Sequence, residues 1–449
     1  MPGSGRHPSS GPKALPLLGL LPAFRNDPLA LLTSLQAEYG DLFTLPLGPY
    51  RFLVVNDAEH IHTVLTHHGR GFVKGKDARL AAPLLGQGLL LSEGERWRRQ
   101  RRLVRPAFGT EQLQRYADVM SRVAERVLTH WHDGQTLDLD EAMSHIALSV
   151  AIGSFFGAEA QDALPEITAH VHTARRFIID RFRSLIRLPV SWPLPTHRAF
   201  RAAVRGLGQV IERFVHARRA SGTHREDLLG LLLRDLDDPE SPMDQTELRD
   251  HAISFLIAGS ETTAATMAFA WDLLATHPEA DEQLCVELEQ TLGGRAPTIA
   301  DLPNLAFLRS VILETLRLYP PIWLFLRAAT APFALGRYEL AANTQVMISP
   351  WLSHRTSASF EDPEAFRPAR WMAGPEPAAF IPFGDGPRQC IGRELAMMEA
   401  MLVIAHLRTR VRFQLLNPSA VEPEALVTLR PRGGMPVRVR SLPSAGSPC

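Results

Sequence analysis

From Asp57 to about Ala270, apolar residues recur at three- and four-residue spacing through one segment after another, the pattern of amphipathic helices on a common core. The longest helix this predicts runs from about Gln245 to Thr276, roughly 48 Å at the usual helical rise. Its centre, "FLIAGSETTAATM" over residues 255–267, interrupts an apolar cylinder with Gly259, Ser260, Glu261, Thr262 and Thr263. Polar groups in a core helix cost several kcal/mol each when unpaired, so the pattern predicts a buried polar site and argues against a membrane span. Gly259 weakens a helix by about 1 kcal/mol relative to alanine, which predicts that something comes close to the backbone there. Period-two alternation is confined to short stretches. Residues 40–56 read as a hairpin around Gly48-Pro49, and residues 344–349 and 425–440 as further strands, with a turn at Gly433-Gly434. The expectation is a mainly α protein with small β-sheets, one domain over residues 13–449 after a mobile segment at residues 1–12.

A second stretch breaks the pattern differently. "FIPFGDGPRQCIGRELAMMEAMLVIAHL", residues 380–407, sets Cys390 in a turn before a helix carrying Leu395, Met398, Leu402 and Ile404. Gly384 and Gly386 permit positive φ or close approach to a flat object, and Pro387 stiffens the turn. Free N–H groups and the positive end of the helix dipole favour thiolate over thiol. Nucleophile, redox sensor and soft metal ligand all remain open on these residues alone, although no histidine base stands near the cysteine. A cysteine used only for packing has no need of such backbone.

Composition narrows the field. Lysine plus arginine equals aspartate plus glutamate at 48 each, so net charge makes no case for nucleic acid. Cys285, Cys390 and Cys449 are too few and too widely spaced to imply a disulfide framework. The apolar start "ALPLLGLLPAF" is too short and broken to span a bilayer and is no signal-peptide core. The expectation is a cytoplasmic protein with no transmembrane segment, whose apolar start can still touch a membrane surface. His60, His62, His67 and His68 match no zinc-ligand spacing.

Three more motifs complete the picture. Glu314 and Arg317 lie one turn apart on a helix stopped by Pro320-Pro321, "FEDPEAFRPARW" brings Arg370 and Trp371 between that helix and Cys390, and "WRRQR" holds Trp97 and Arg101. In this order, with "AGSETT" and "FGDGPRQCIG", they resemble the cytochrome P-450 family of haem-thiolate monooxygenases. The resemblance implies haem b with Cys390 as the proximal iron ligand. It implies that Phe383, Gly384 and Gly392 form the surrounding loop, and that Trp97, Arg101, Arg327 and Arg388 bind the haem propionates. Glu314, Arg317 and Arg370 would form a structural ion-pair network. Glu261 and Thr262 would be the catalytic acid–alcohol pair that delivers protons to dioxygen, and their presence argues against the peroxygenase branch. It also argues against a non-catalytic haem- or lipid-binding protein, which needs no buried proton relay.

No fused redox domain is visible, so electrons are expected from a separate ferredoxin or flavodoxin-type donor with an NAD(P)H reductase. The cluster Arg96, Arg98, Arg99, Arg101, Arg102 and Arg105 is a candidate docking face for it. Residues 77–91, Ile257, Ala258, residues 322–326 and Val427-Thr428 are expected to line the pocket, with Asp77 and Arg79 the only charges of the first loop. That lining suits an apolar, lipid-like substrate. The resemblance extends to carotenoid-ring hydroxylases, which makes a carotenoid the first expectation and a terpenoid or fatty acid the alternatives.

Overall fold

The carboxylate of Asp244 accepts the Glu247 N–H at 2.7 Å and so caps the long helix. The helix spans Gln245–Thr276 and ends where Pro278 opens the next one. Helix Leu139–Phe156 packs along one side of it, with Ala306–Leu318 and Arg393–Arg408 along others. By length and composition it could cross a membrane, yet 72% of its apolar window is buried inside the protein. It is the axis of the main hydrophobic core. The computed structural model describes residues 11–13, 15–67, 69, 71–75, 80–184, 187–336, 338–417 and 421–442. Residues 1–10 of the expected N-terminal segment, His68, Asp77, Arg79 and Cys449 lie outside them.

The predicted hairpin forms from strands Leu42–Leu47 and Tyr50–Val55. It belongs to a five-stranded sheet that continues through Gln345–Ile348, Phe325–Ala329 and Phe72–Lys74. Only the pairing of Tyr50–Val55 with Gln345–Ile348 is parallel. The sheet's last pairing places Lys74 directly opposite Arg327. Near the C-terminus, Gly433 and Gly434 turn with φ of 74° and 84°. The strands on either side do not pair with each other. Leu429–Pro431 joins Pro423–Ala425, whereas Pro436–Ser441 joins Val411–Leu415 and Thr136–Asp138. A Cβ on Gly434 would fall 2.0 Å from Asp138 Oδ2, so the glycine is what lets the chain change sheets.

Candidate active site

The cysteine loop is closed by its own backbone: the Cys390 N–H donates to the Phe383 carbonyl at 2.9 Å. Gly384 and Gly386 take φ of 69° and 66°. A Cβ on Gly386 would lie 2.6 Å from the Leu65 carbonyl oxygen, so close approach to helix Ala58–Thr66 demands glycine there. His62 Nδ1 meets Asp385 Oδ2 at 2.6 Å and ties the same helix to the loop. Gly392 caps helix Arg393–Arg408.

Cys390 is a free thiol. It counts as exposed by surface area although protein surrounds it on nearly every side, because the open face of the sulfur looks into a cavity. Burial pushes the thiol up, against the Gly392 N–H and the Arg101 and Arg393 guanidinium groups, which pull it down. The expected stabilisation of thiolate by the helix start and its cations is therefore present but outweighed. The thiolate needs a further positive partner on the cavity side.

The cavity measures about 500 Å³ and lies between the cysteine loop and the centre of the long helix. Trp97, Arg101, Arg327, Phe383, Arg388, Cys390, Gly392, Glu261 and Thr262 all line it. Gly384 does not reach the lining and acts through the turn. Arg388 donates to the Ser92 carbonyl and to Glu93, both at 2.6 Å, with its guanidinium 4.1 Å from the Trp97 ring centre. Arg101 donates to the Gln389 carbonyl at 3.0 Å.

Lys74 joins these cations on the wall, a residue that the sequence did not single out. Burial, then Arg388 and Arg327, lower its ammonium to about 7 against the pull of Glu93. Arg327 is lowered to about 10 by burial and by Arg388, and its Nε lacks a partner. Cations that depress one another around one carboxylate mark a place built for an anion. A cysteine sulfur facing a cavity whose wall carries these cations fits a dianionic haem, with iron on the sulfur and carboxylates on the cations.

On the opposite wall, Gly259 lets the Phe155 ring approach: an added Cβ would meet Phe155 Cε2 at 3.3 Å. That is the close contact the glycine predicts. The Thr262 hydroxyl donates to the Ala258 carbonyl at 2.9 Å. Glu261 is not a free carboxylate. Arg430 donates to it at 2.8 Å and Arg175 at 3.3 Å. Arg430 is only 4% exposed and also donates to Asp140 at 2.9 Å. Neither arginine was legible as a site residue, since both partnerships are long-range. Elsewhere the lining is mostly aliphatic and aromatic, including Leu84, Ile178, Ile257, Phe325 and Val427.

Behind the cysteine loop, Arg317 donates to both oxygens of Glu314 at 2.8 Å, and Arg370 and Trp371 add bonds at 3.0 and 2.8 Å. Glu314 and Arg317 are fully buried. Burial alone would raise Glu314, but its bonds and charges from Arg317, the Arg367 N–H and Arg370 hold it below the ordinary carboxylate range. The arginine-rich helix Gly94–Val104 is only partly available for docking. Arg96 and Arg99 pair with buried Glu247, Arg98 with Glu95, and Arg101 points to the cavity. Arg102 and Arg105 remain exposed.

A family profile described as cytochrome P-450 matches residues 9–435. The chain is 36% identical over 412 residues to cyclooctat-9-en-7-ol 5-monooxygenase of Streptomyces melanosporofaciens, covering 90% of this chain and 89% of that one. It is 31% identical over 428 residues to pentalenene oxygenase of Streptomyces avermitilis, covering 94% of each. Protein LUTEIN DEFICIENT 5 of Arabidopsis thaliana is 29% identical over 439 residues, which cover 90% of this chain and 72% of that protein.

Proposed function

The chain belongs to the cytochrome P-450 family of haem-thiolate monooxygenases, and from that premise we propose that it hydroxylates a compact cyclic terpenoid, with Cys390 as the iron ligand. The observation that carries this is a single, mostly apolar cavity lined on one side by Cys390 and on the other by Glu261 and Thr262. Family members bind haem b through a cysteine thiolate, and the bound group supplies dioxygen activation and insertion of one oxygen atom. The residues do the rest. Lys74, Arg101, Arg327 and Arg388 neutralise the propionates, and the fork of each arginine orients a carboxylate. The apolar wall holds the substrate by burial and excludes water.

Thr262 holds a hydroxyl proton that it now gives to Ala258 O, and releases that bond to present the proton to the cavity. Glu261, on parting from Arg175, the longer and more exposed of its two ion pairs, takes up a proton from solvent and passes it to the Thr262 oxygen. Arg430 keeps the carboxylate in place throughout. Electrons come from a ferredoxin or flavodoxin-type donor with an NAD(P)H reductase, docking near Arg102 and Arg105, in the cytoplasm where such reductants are regenerated.

Terpenoid is preferred because relatives at 36% and 31% identity carry cyclooctat-9-en-7-ol and pentalenene in their names. The carotenoid expectation stands second, supported by the 29% identity to LUTEIN DEFICIENT 5. The test is turnover of the haem-loaded enzyme with ferredoxin, reductase and NADPH on a cyclic diterpene alcohol, a cyclic sesquiterpene and β-carotene. A mono-oxygenated terpene is expected. Product from β-carotene alone would replace the first reading by the second.

A further inference from the structure

The hydroxyls that the long helix presents to the cavity are already engaged. Thr262, Thr263 and Thr266 each donate to the helix carbonyl four residues earlier, at 2.9, 3.0 and 3.0 Å. Two other side chains on the wall have capacity left. Arg175 stands on helix Leu164–Arg183, where Val171, Arg175 and Ile178 share the face that lines the cavity. It uses only Nη1, on the two oxygens of Glu261 at 3.4 and 3.3 Å, beyond the roughly 2.7–3.2 Å usual for such bonds. Its Nη2 and Nε have no hydrogen-bond partner among the described residues, and 32% of the side chain stays open.

Thr428 comes from the other end of the chain, one position before strand Leu429–Pro431. Thr428 and Arg430 line the cavity, whereas Leu429 between them is buried in the neighbouring core, as the period of two along extended backbone requires. The Thr428 side chain therefore shares a face with the guanidinium that holds Glu261. Its hydroxyl has no hydrogen-bond partner among the described residues. Arg175 and Thr428 thus reach the surroundings of Glu261 from two separate elements, one directly and one beside Arg430.

Charge and donor count say what they suit. Arg175 and Arg430 are matched by Glu261 and Asp140, so the linked group carries no net charge. A further carboxylate there would be in excess and would face Glu261, whereas a neutral oxygen would not. Arginine only donates, while a threonine hydroxyl donates and accepts. An alcohol satisfies both, its oxygen accepting from Arg175 and its proton going to Thr428. A hydrocarbon that displaces water from the wall leaves both unpaired.

We infer that Arg175 and Thr428 form a subsite for a neutral hydroxyl group that the substrate already carries, so that the enzyme takes a terpenoid alcohol in preference to the parent hydrocarbon or the corresponding acid. The inference rests on the terpenoid reading and narrows it. It also supplies what parts Arg175 from Glu261: the substrate oxygen competes for the guanidinium, and seating the alcohol releases the carboxylate for proton delivery.

The test is titration of the full-length, haem-loaded protein with ent-kaurene, ent-kaurenol and ent-kaurenoic acid, which share one skeleton, with the Soret shift as readout. In the wild type the alcohol should bind about tenfold more tightly than the hydrocarbon or the acid, as one added hydrogen bond to a charged donor allows. Arg175→Leu should bring the ratio of alcohol to hydrocarbon affinity close to one. Thr428→Val leaves both ion pairs of Glu261 in place and should still lower that ratio several-fold, which a purely structural role of Arg175 would not explain. An unchanged Soret band before ligand is added reports an intact haem pocket in each variant. Product per NADPH should rise from hydrocarbon to alcohol in the wild type and not in Arg175→Leu.

Equal affinities for alcohol and hydrocarbon in the wild type overturn the inference, as does a preference for the alcohol that survives in both variants. Tightest binding by the acid overturns it as well and assigns the subsite to an anion. A shift with none of the three, together with failure to oxidise any terpenoid, defeats the terpenoid reading and the inference with it, an outcome distinct from equal binding of all three.

Discussion

Arg430 holds Glu261 at 2.8 Å and Asp140 at 2.9 Å from a guanidinium that solvent barely reaches. One cation therefore neutralises two carboxylates, from the long helix and from helix Leu139–Phe156. Removing one partner of a buried ion pair costs about 3–5 kcal/mol because the other charge is stranded. Arg430→Leu is expected to lose that much unfolding free energy in urea titration of the holoprotein. A loss below about 1 kcal/mol, the value of a surface pair, would mean that Glu261 finds another countercharge.

Replacing Thr262 by alanine removes a hydroxyl from the cavity wall opposite Cys390 and leaves the apolar wall intact. Product formed per NADPH consumed should fall, with hydrogen peroxide or water accounting for the difference. Glu261→Gln should instead slow turnover about a hundredfold, within the usual span for lost acid–base catalysis. Fully coupled turnover in Thr262→Ala would remove Thr262 from the mechanism.

The Glu314 network lies behind the cysteine loop, outside the cavity lining, and is expected to act on folding and haem retention. Arg317 donates to Glu314, to the carbonyls of His354 and Ala365 at 3.1 and 2.9 Å, and to that of Pro363. Lysine cannot reproduce this fork. Arg317→Lys and Glu314→Gln should each lower stability by about 3–5 kcal/mol and give protein deficient in haem. Near-normal haem content and melting temperature in both would show that the network is dispensable.

Glu247 links stability to acid pH. Burial raises it, but the His251 ring 3.7 Å away, a hydrogen bond from Gln100 and the charges of Arg99 and Arg96 bring it down to about 2 from an ordinary 4.5. A carboxylate depressed on folding contributes stability that is present above its unfolded value and lost as pH falls toward its folded one. The contribution should be complete above about pH 5 and fade between 4.5 and 2. Allowing for the half-exposed Arg96, it is on the order of 2 kcal/mol. The stability gap between wild type and Glu247→Gln should therefore narrow on acidification, and a gap independent of pH would contradict the assignment.

The long helix and the cysteine loop were legible because their signals are local. Asp244, the apolar run and Pro278 lie on one stretch of chain, as do Gly384, Gly386 and Cys390. The fate of the charges was not legible, because it depends on distant partners. Lys74 becomes a cavity cation by strand pairing with Arg327, and Arg430 reaches Glu261 across 169 residues. Arg96 and Arg99 look like docking charges in sequence but turn inward to Glu247. The thiol followed the same logic: helix start and cations favour thiolate, and only the folded surroundings reveal how strongly burial opposes them.

The most direct test of the account is the absorption spectrum of the reduced, carbon-monoxide-bound protein, wild type against Cys390→Ala. The account predicts a thiolate-type Soret band in the wild type that is absent from the variant. The same thiolate-type band in Cys390→Ala, or no such band in haem-reconstituted wild type, would contradict it.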